Sequence, residues 1–206
     1  TVQDVKAGCE VAKRYQTASV CARPADVPLV RDLLEGTGIA VSTVIGFPHG
    51  TQTASIKLQE AIEAIEAGAV ELDMVMNYSR LLSGDFDYVA DEVKAVTDAA
   101  HARGAIVKVI FENCYLTDEL KIKACEICEA AGADFVKTST GFGTGGATFE
   151  DVQLMLDTVK GKASVKASGG VRDAETAIKY IEMGVMRLGT SNGIKIVAGE
   201  TVTGGY

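Results

Sequence analysis

Short runs of β-branched and other apolar residues alternate along this chain with longer stretches in which apolar positions recur every three or four residues. The first pattern fits strands, whose side chains repeat every two residues. The second fits helices with one apolar face, repeating every 3.6. Strands are predicted over residues 19–21, 40–45, 71–74, 106–110, 135–137, 164–167 and 187–188, with residues 75 and 76 as an extension of the third. Helices are predicted over 2–15, 27–34, 54–67, 88–102, 118–130, 149–159, 174–183 and, as a short one, 192–197. Strands that take turns with helices imply βαβ units around a parallel sheet.

One segment recurs three times. Glu66-Ala67-Gly68-Ala69-Val70-Glu71-Leu72-Asp73 resembles Ala131-Gly132-Ala133-Asp134-Phe135-Val136-Lys137 and Glu182-Met183-Gly184-Val185-Met186-Arg187-Leu188-Gly189. In each, a helix stops at a glycine, which takes the left-handed conformation at low cost, and a strand begins. Five residues after the glycine stand Asp73, Lys137 and Gly189. The repeat sets all three at one height, near the carboxyl ends of their strands, which is the active face of a (β/α)8 barrel. The expected fold is therefore α/β, a (β/α)8 TIM barrel, with residues 1–206 as one barrel domain. Seven strands are predicted, the chain opens on a helix, and a closed barrel takes eight. The first strand is expected to be missing from the chain, which would leave two strand edges unpaired.

Composition narrows the partners. The chain has 206 residues, 47% of them hydrophobic, enough for one sizeable core. A net charge of −8 argues against nucleic acid or an anionic membrane as partner, while a local cationic pocket could still take a small anion. No apolar run approaches the roughly 20 residues of a membrane span. The opening Thr1-Val2-Gln3-Asp4 has neither the basic nor the apolar region of a signal peptide. Five scattered cysteines, Cys9, Cys21, Cys114, Cys125 and Cys128, read as free thiols in a reducing cytoplasm. Cys125 and Cys128 share a helix with no histidine nearby and no second pair, so one packed and one half-exposed thiol is expected there rather than a metal centre.

The chemistry concentrates in two segments, Phe135-Val136-Lys137-Thr138-Ser139-Thr140-Gly141-Phe142-Gly143-Thr144-Gly145-Gly146 and Ser164-Val165-Lys166-Ala167-Ser168-Gly169-Gly170-Val171-Arg172. A lysine amine attacks a carbonyl only when neutral, against a reference pKa of about 10.4. A neighbouring ammonium and partial desolvation favour the neutral form. Lys137 and Lys166 end consecutive strands and should be neighbours; a pair of surface lysines is the bland alternative. Asp73 offers a proton relay or a structural salt bridge. Lys108, inside its strand, reads as an ion-pair or packing residue that could also line the site. Gly141, Gly169, Gly170 and Gly189, with Thr140 and Ser191, offer backbone and hydroxyl donors to an oxyanion, and a short helix near Asn192 would add its dipole. Arg172 could add charge or face solvent. Cys21 ends a strand and could line the pocket, with packing as the default; His49 reads as a solvated loop residue that could line the mouth of the site, and His101 as a helix-end contact.

These segments, with Ser19-Val20-Cys21, Thr43-Val44-Ile45-Gly46-Phe47-Pro48-His49-Gly50, Glu71-Leu72-Asp73-Met74-Val75-Met76-Asn77, Lys108-Val109-Ile110-Phe111-Glu112 and Arg187-Leu188-Gly189-Thr190-Ser191, resemble the deoxyribose-phosphate aldolase family over essentially the whole chain. The resemblance implies a class I aldolase that cleaves 2-deoxy-D-ribose 5-phosphate to D-glyceraldehyde 3-phosphate and acetaldehyde, with no metal or other cofactor. It implies Lys137 as the imine-forming lysine, Lys166 as the neighbour that lowers its pKa, and Asp73 as the relay acid. Gly141, Gly169, Gly170, Gly189 and Ser191 would be phosphate contacts, and Tyr206 a tail residue able to reach the site. A homodimer is compatible with such barrels. Family members begin with a first strand rich in Asp-His-Thr-type residues, and nothing like it precedes Thr1. A different imine-forming barrel, and a non-catalytic or truncated sugar-phosphate binder, are the competing readings.

Overall fold

The computed structural model describes residues 1–199. Seven strands form one parallel sheet in chain order: β1 (Ser19–Ala22), β2 (Ala40–Ile45), β3 (Glu71–Val75), β4 (Ile106–Ile110), β5 (Phe135–Lys137), β6 (Ser164–Ser168) and β7 (Arg187–Gly189). Around it run α1 (Val2–Tyr15), α2 (Val27–Leu34), α3 (Ala54–Ala67), α4 (Tyr78–Leu82), α5 (Phe86–His101), α6 (Asp118–Ala131), α7 (Phe149–Val159), α8 (Ala174–Met183) and α9 (Gly193–Val197). Helices pack on the outer face of the strands, and their apolar stripes, such as Val89, Val93 and Val96 of α5, meet Leu72, Val107 and Val109 in the core.

Local chemistry explains the element ends. Thr53, Thr117, Thr148 and Asp173 accept a backbone N–H at the starts of α3, α6, α7 and α8, removing one orphan donor each. Gly68, Gly132 and Gly184 end α3, α6 and α8 with φ of 116°, 79° and 108°, as the repeat predicted. Most predicted bounds agree within two residues. The exception is α4, a single turn capped by the Asn77 side chain and too short to show a helical period. Two 3-10 turns, Pro24–Asp26 and Asn113–Tyr115, were also invisible in the pattern for the same reason.

The sheet curls until its two edge strands face each other. Arg187 on β7 donates to the Ser19 hydroxyl on β1 at 3.0 Å, yet the two strands do not pair. Between them lies a cleft of about 720 Å³ lined by Val11, Tyr15, Val20, Ile181, Leu188 and Val197. Among the described residues the sheet is thus one strand short of a closed eight-stranded barrel, as expected.

Ladder register corrects one detail of the repeat. Lys137 pairs with Lys166, but Asp73 pairs with Lys108, and Gly189 with Ser168. Asp73, Lys137 and Gly189 are therefore staggered along the hydrogen-bond ladder. Barrel strands tilt with just such a stagger, so residues at different ladder positions share one layer across the barrel.

Candidate active site

Asp73 sits at the centre, fully buried. Its Oδ2 lies 2.6 Å from the Lys137 amine and 2.6 Å from the Lys166 amine. Its Oδ1 accepts from Lys108 at 3.0 Å and from the Ser42 hydroxyl at 3.5 Å. Lys108 also pairs with Glu71 at 2.8 Å, and Glu71 takes both arms of the Arg187 guanidinium, at 2.9 and 3.1 Å. Four basic side chains thus face two carboxylates, which makes this interior locally cationic inside an acidic chain.

The titration directions follow. Burial works to raise the Asp73 pKa, but the ammonium groups of Lys137, Lys166 and Lys108 outweigh it and hold the carboxyl far below its usual range. Burial lowers Lys166, Asp73 opposes that, and the Lys137 ammonium adds to the lowering. The Lys166 amine is therefore easier to deprotonate than an ordinary lysine.

Both amines open onto a pocket of about 360 Å³ whose wall also includes Cys21, Thr140, Phe47, Gly189 and Ser191. The Cys21 side chain is solvent-exposed on this wall. Gly141, Gly169 and Gly170 stand in the loops after β5 and β6, with φ of 92°, 75° and 80° that glycine adopts without strain. Their amides donate to no acceptor among the described residues. The two loops touch backbone to backbone, since a Cβ on Gly146 would lie 2.5 Å from Gly169. Phe47 and Phe142 meet edge to face at 5.4 Å at the rim, a lip the sequence reading did not identify because it joins loops far apart in the chain.

Other expected residues fall outside this pocket. Arg172 and His49 are exposed, and neither lines the pocket wall. His101 contacts the Asp134 carboxylate at 2.8 Å, a side-chain partner rather than a helix-end contact alone. Cys125 and Cys128 are both fully buried, which corrects the expectation of one half-exposed thiol. The period places Cys125 and Cys128 on the inner side of α6 together, and burial pushes Cys125 up to about 12. Tyr206 lies outside the described residues. No helix among those described is long and apolar enough to cross a membrane.

Known proteins resemble this chain in sequence and fold. The family model for DeoC/LacD family aldolases matches residues 1–197. The deoxyribose-phosphate aldolase of Carboxydothermus hydrogenoformans is 53% identical over 201 residues, 97% of this chain and 88% of that protein. A crystal structure from Coccidioides immitis, provisionally named a deoxyribose-phosphate aldolase, superposes with a TM-score of 0.92 at 43% identity, covering 96% of this chain and 79% of that one. The structure of deoxyribose phosphate aldolase from Aeropyrum pernix, described as a unique tetrameric structure, gives 0.89 at 34% identity, covering 96% of this chain and 83% of that one. Identity above one half across nearly the whole chain, on a matching fold, shows that this chain belongs to the DeoC/LacD family of aldolases.

Proposed function

We propose that this chain cleaves 2-deoxy-D-ribose 5-phosphate to D-glyceraldehyde 3-phosphate and acetaldehyde through a lysine imine. The observation that carries the reading is the pair of amines, Lys137 and Lys166, each 2.6 Å from one buried Asp73 oxygen. Lys137 is the nucleophile. Its neutral amine attacks C1 of the open-chain aldehyde, and loss of water gives a protonated imine. That cation is the electron sink, so the reaction calls on no metal or cofactor. Asp73 and Lys166, through solvent water, take the proton from the C3 hydroxyl. The C2–C3 bond breaks, its electrons forming an enamine, and C3 leaves as the aldehyde of glyceraldehyde 3-phosphate. Protonation at C2 and hydrolysis release acetaldehyde and restore the amine.

Phosphate recognition is assigned to Gly141, Gly169, Gly170, Gly189 and Ser191, with Thr140 and Cys21 lining the route. Binding far from the reacting atoms then supplies positioning. Residues 1–206 act as one barrel domain in this reading. The partner is a small phosphorylated sugar rather than nucleic acid or membrane, in the cytoplasm. Self-association is open, and sedimentation would report it.

Borohydride trapping with 2-deoxyribose 5-phosphate, followed by peptide mass mapping, tests the proposal. A reduced adduct on Lys137 is expected. An adduct elsewhere, or phosphate binding without any adduct in folded protein, would overturn it in favour of a binding role.

A further inference from the structure

We propose that Glu112, which the reaction does not use, is a positioning residue that sets the phosphate-recognising loop after β5 and thereby the preference for phosphorylated sugars; this rests on the aldolase reading above.

Glu112 follows β4 and takes a left-handed conformation, φ 58° and ψ 62°, uncommon for a residue with a side chain. Its neighbours hold it there. The Phe111 amide donates to the Lys137 carbonyl at 3.0 Å, and the Asn113 amide to the Thr138 carbonyl at 2.9 Å. With both flanks tied to the end of β5, the kink directs the Glu112 side chain toward Thr140. Glu112 is only 2% exposed, so its carboxylate needs donors, and Thr140 supplies two. The Thr140 amide donates to Oε1 at 3.2 Å and the Thr140 hydroxyl donates to Oε2. The same hydroxyl oxygen accepts the Phe142 amide at 2.9 Å.

The loop then folds over the carboxylate. A Cβ on Gly143 would come within 2.9 Å of the Glu112 carboxyl carbon, so a larger residue there would push the carboxylate aside. At its far end the loop is secured by the Ala147 amide, which donates to Ser168 O at 3.1 Å and Gly169 O at 3.0 Å. The far end of the cradle is thus set by backbone contacts, while at the near end β6 holds Thr138 and Ser139, the latter through the Ser168 hydroxyl at 2.6 Å, and the buried Glu112 carboxylate holds Thr140. With the N–H and O–H of Thr140 engaged by Glu112, the loop presents the amide of Gly141 to an incoming anion.

The ratio of kcat/KM for 2-deoxyribose 5-phosphate to that for unphosphorylated 2-deoxyribose reads this role. Glu112→Gln keeps the volume but cannot accept the Thr140 hydroxyl proton at Nε2. The ratio is expected to fall about tenfold, mainly through KM of the phosphorylated sugar, as for loss of one charge-assisted hydrogen bond. Thr140→Val removes the same bond from the other side, together with the acceptor of the Phe142 amide, and should lower the ratio at least as far; it also decides the matter if Glu112→Gln does not fold. The double variant should fall no further than Thr140→Val alone, because that change already deletes the bond that Glu112→Gln weakens. An unchanged ratio, or a fully additive double variant, would overturn the assignment. Calorimetric affinity for inorganic phosphate, expected to weaken about tenfold as well, separates it from the aldolase reading. If neither sugar is cleaved but phosphate binding still weakens, Glu112 positions the cradle and the proposed reaction is what fails.

Discussion

Two buried centres in this chain set lysine against carboxylate, and they differ in stoichiometry. Lys57 on α3 and Glu92 on α5 are both 0% exposed and meet at 2.8 Å. Lys57 also donates to the Val75 carbonyl at 2.9 Å, and the other Glu92 oxygen accepts the Asn77 amide at 2.5 Å. One charge answers one charge, and the spare donors and acceptors close off the end of β3. Burial lowers Lys57 and raises Glu92, each against the pull of its partner. At Asp73, by contrast, three lysines meet one carboxylate, with Lys108 shared between it and Glu71, and two of those amines reach a pocket wall. A balanced, enclosed pair holds backbone in place. An unbalanced, open cluster leaves one amine, Lys166, easier to deprotonate and two amines facing a pocket.

Removing Lys137 should break the comparison most sharply. Lys137→Leu is expected to abolish the trapped adduct and sugar cleavage while the circular dichroism spectrum stays native. Lys57→Met should leave trapping intact in whatever fraction folds. Equal trapping by the Lys137 variant would end the assignment of the nucleophile.

The next largest effect is on stability. Glu92→Ala strands a buried ammonium and should cost about 3–5 kcal/mol in urea unfolding. Lys57→Met with Glu92→Leu should recover part of that loss, though not the bonds to Val75 and Asn77. A single-variant loss below about 1 kcal/mol would mean that the pair is solvated in solution.

The smallest expected effect is a slope. Asp73 titrates lower folded than unfolded, where its value is near 3.8. It therefore stabilises the fold above the unfolded pKa, and that contribution is lost as pH falls below about 4 toward the folded value. Asp73→Asn should flatten the fall in stability on acidification. Identical slopes for the two proteins would show that the Asp73 charge is not held by the three lysines.

Much of this was legible from residue order. Strands such as β4, helices such as α3, and the glycines that end α3, α6 and α8 follow from side-chain period and backbone permissiveness, which are local. So does the adjacency of Lys137 and Lys166, because consecutive parallel strands pair in register. The reading of Lys108 as an ion-pair residue also held, since an amine inside a strand with no exit to solvent must find carboxylates. The Lys57–Glu92 pair was not legible. Each member sits on a helix among polar residues, and nothing local marks it as buried. The inward turn of both Cys125 and Cys128 depended likewise on how α6 seats against its neighbours.

The sequence by itself determined the order of strands and helices, their end signals, and the residue types brought to the carboxyl ends of β3, β5 and β6. The tertiary structure alone decided that three lysines converge on Asp73, that Thr140 is held by Glu112, and that Phe47 meets Phe142. The physical reason is range. Period and capping act over a few residues, whereas the stagger and curl of the sheet set which distant side chains share one buried layer, and burial in turn sets their charge.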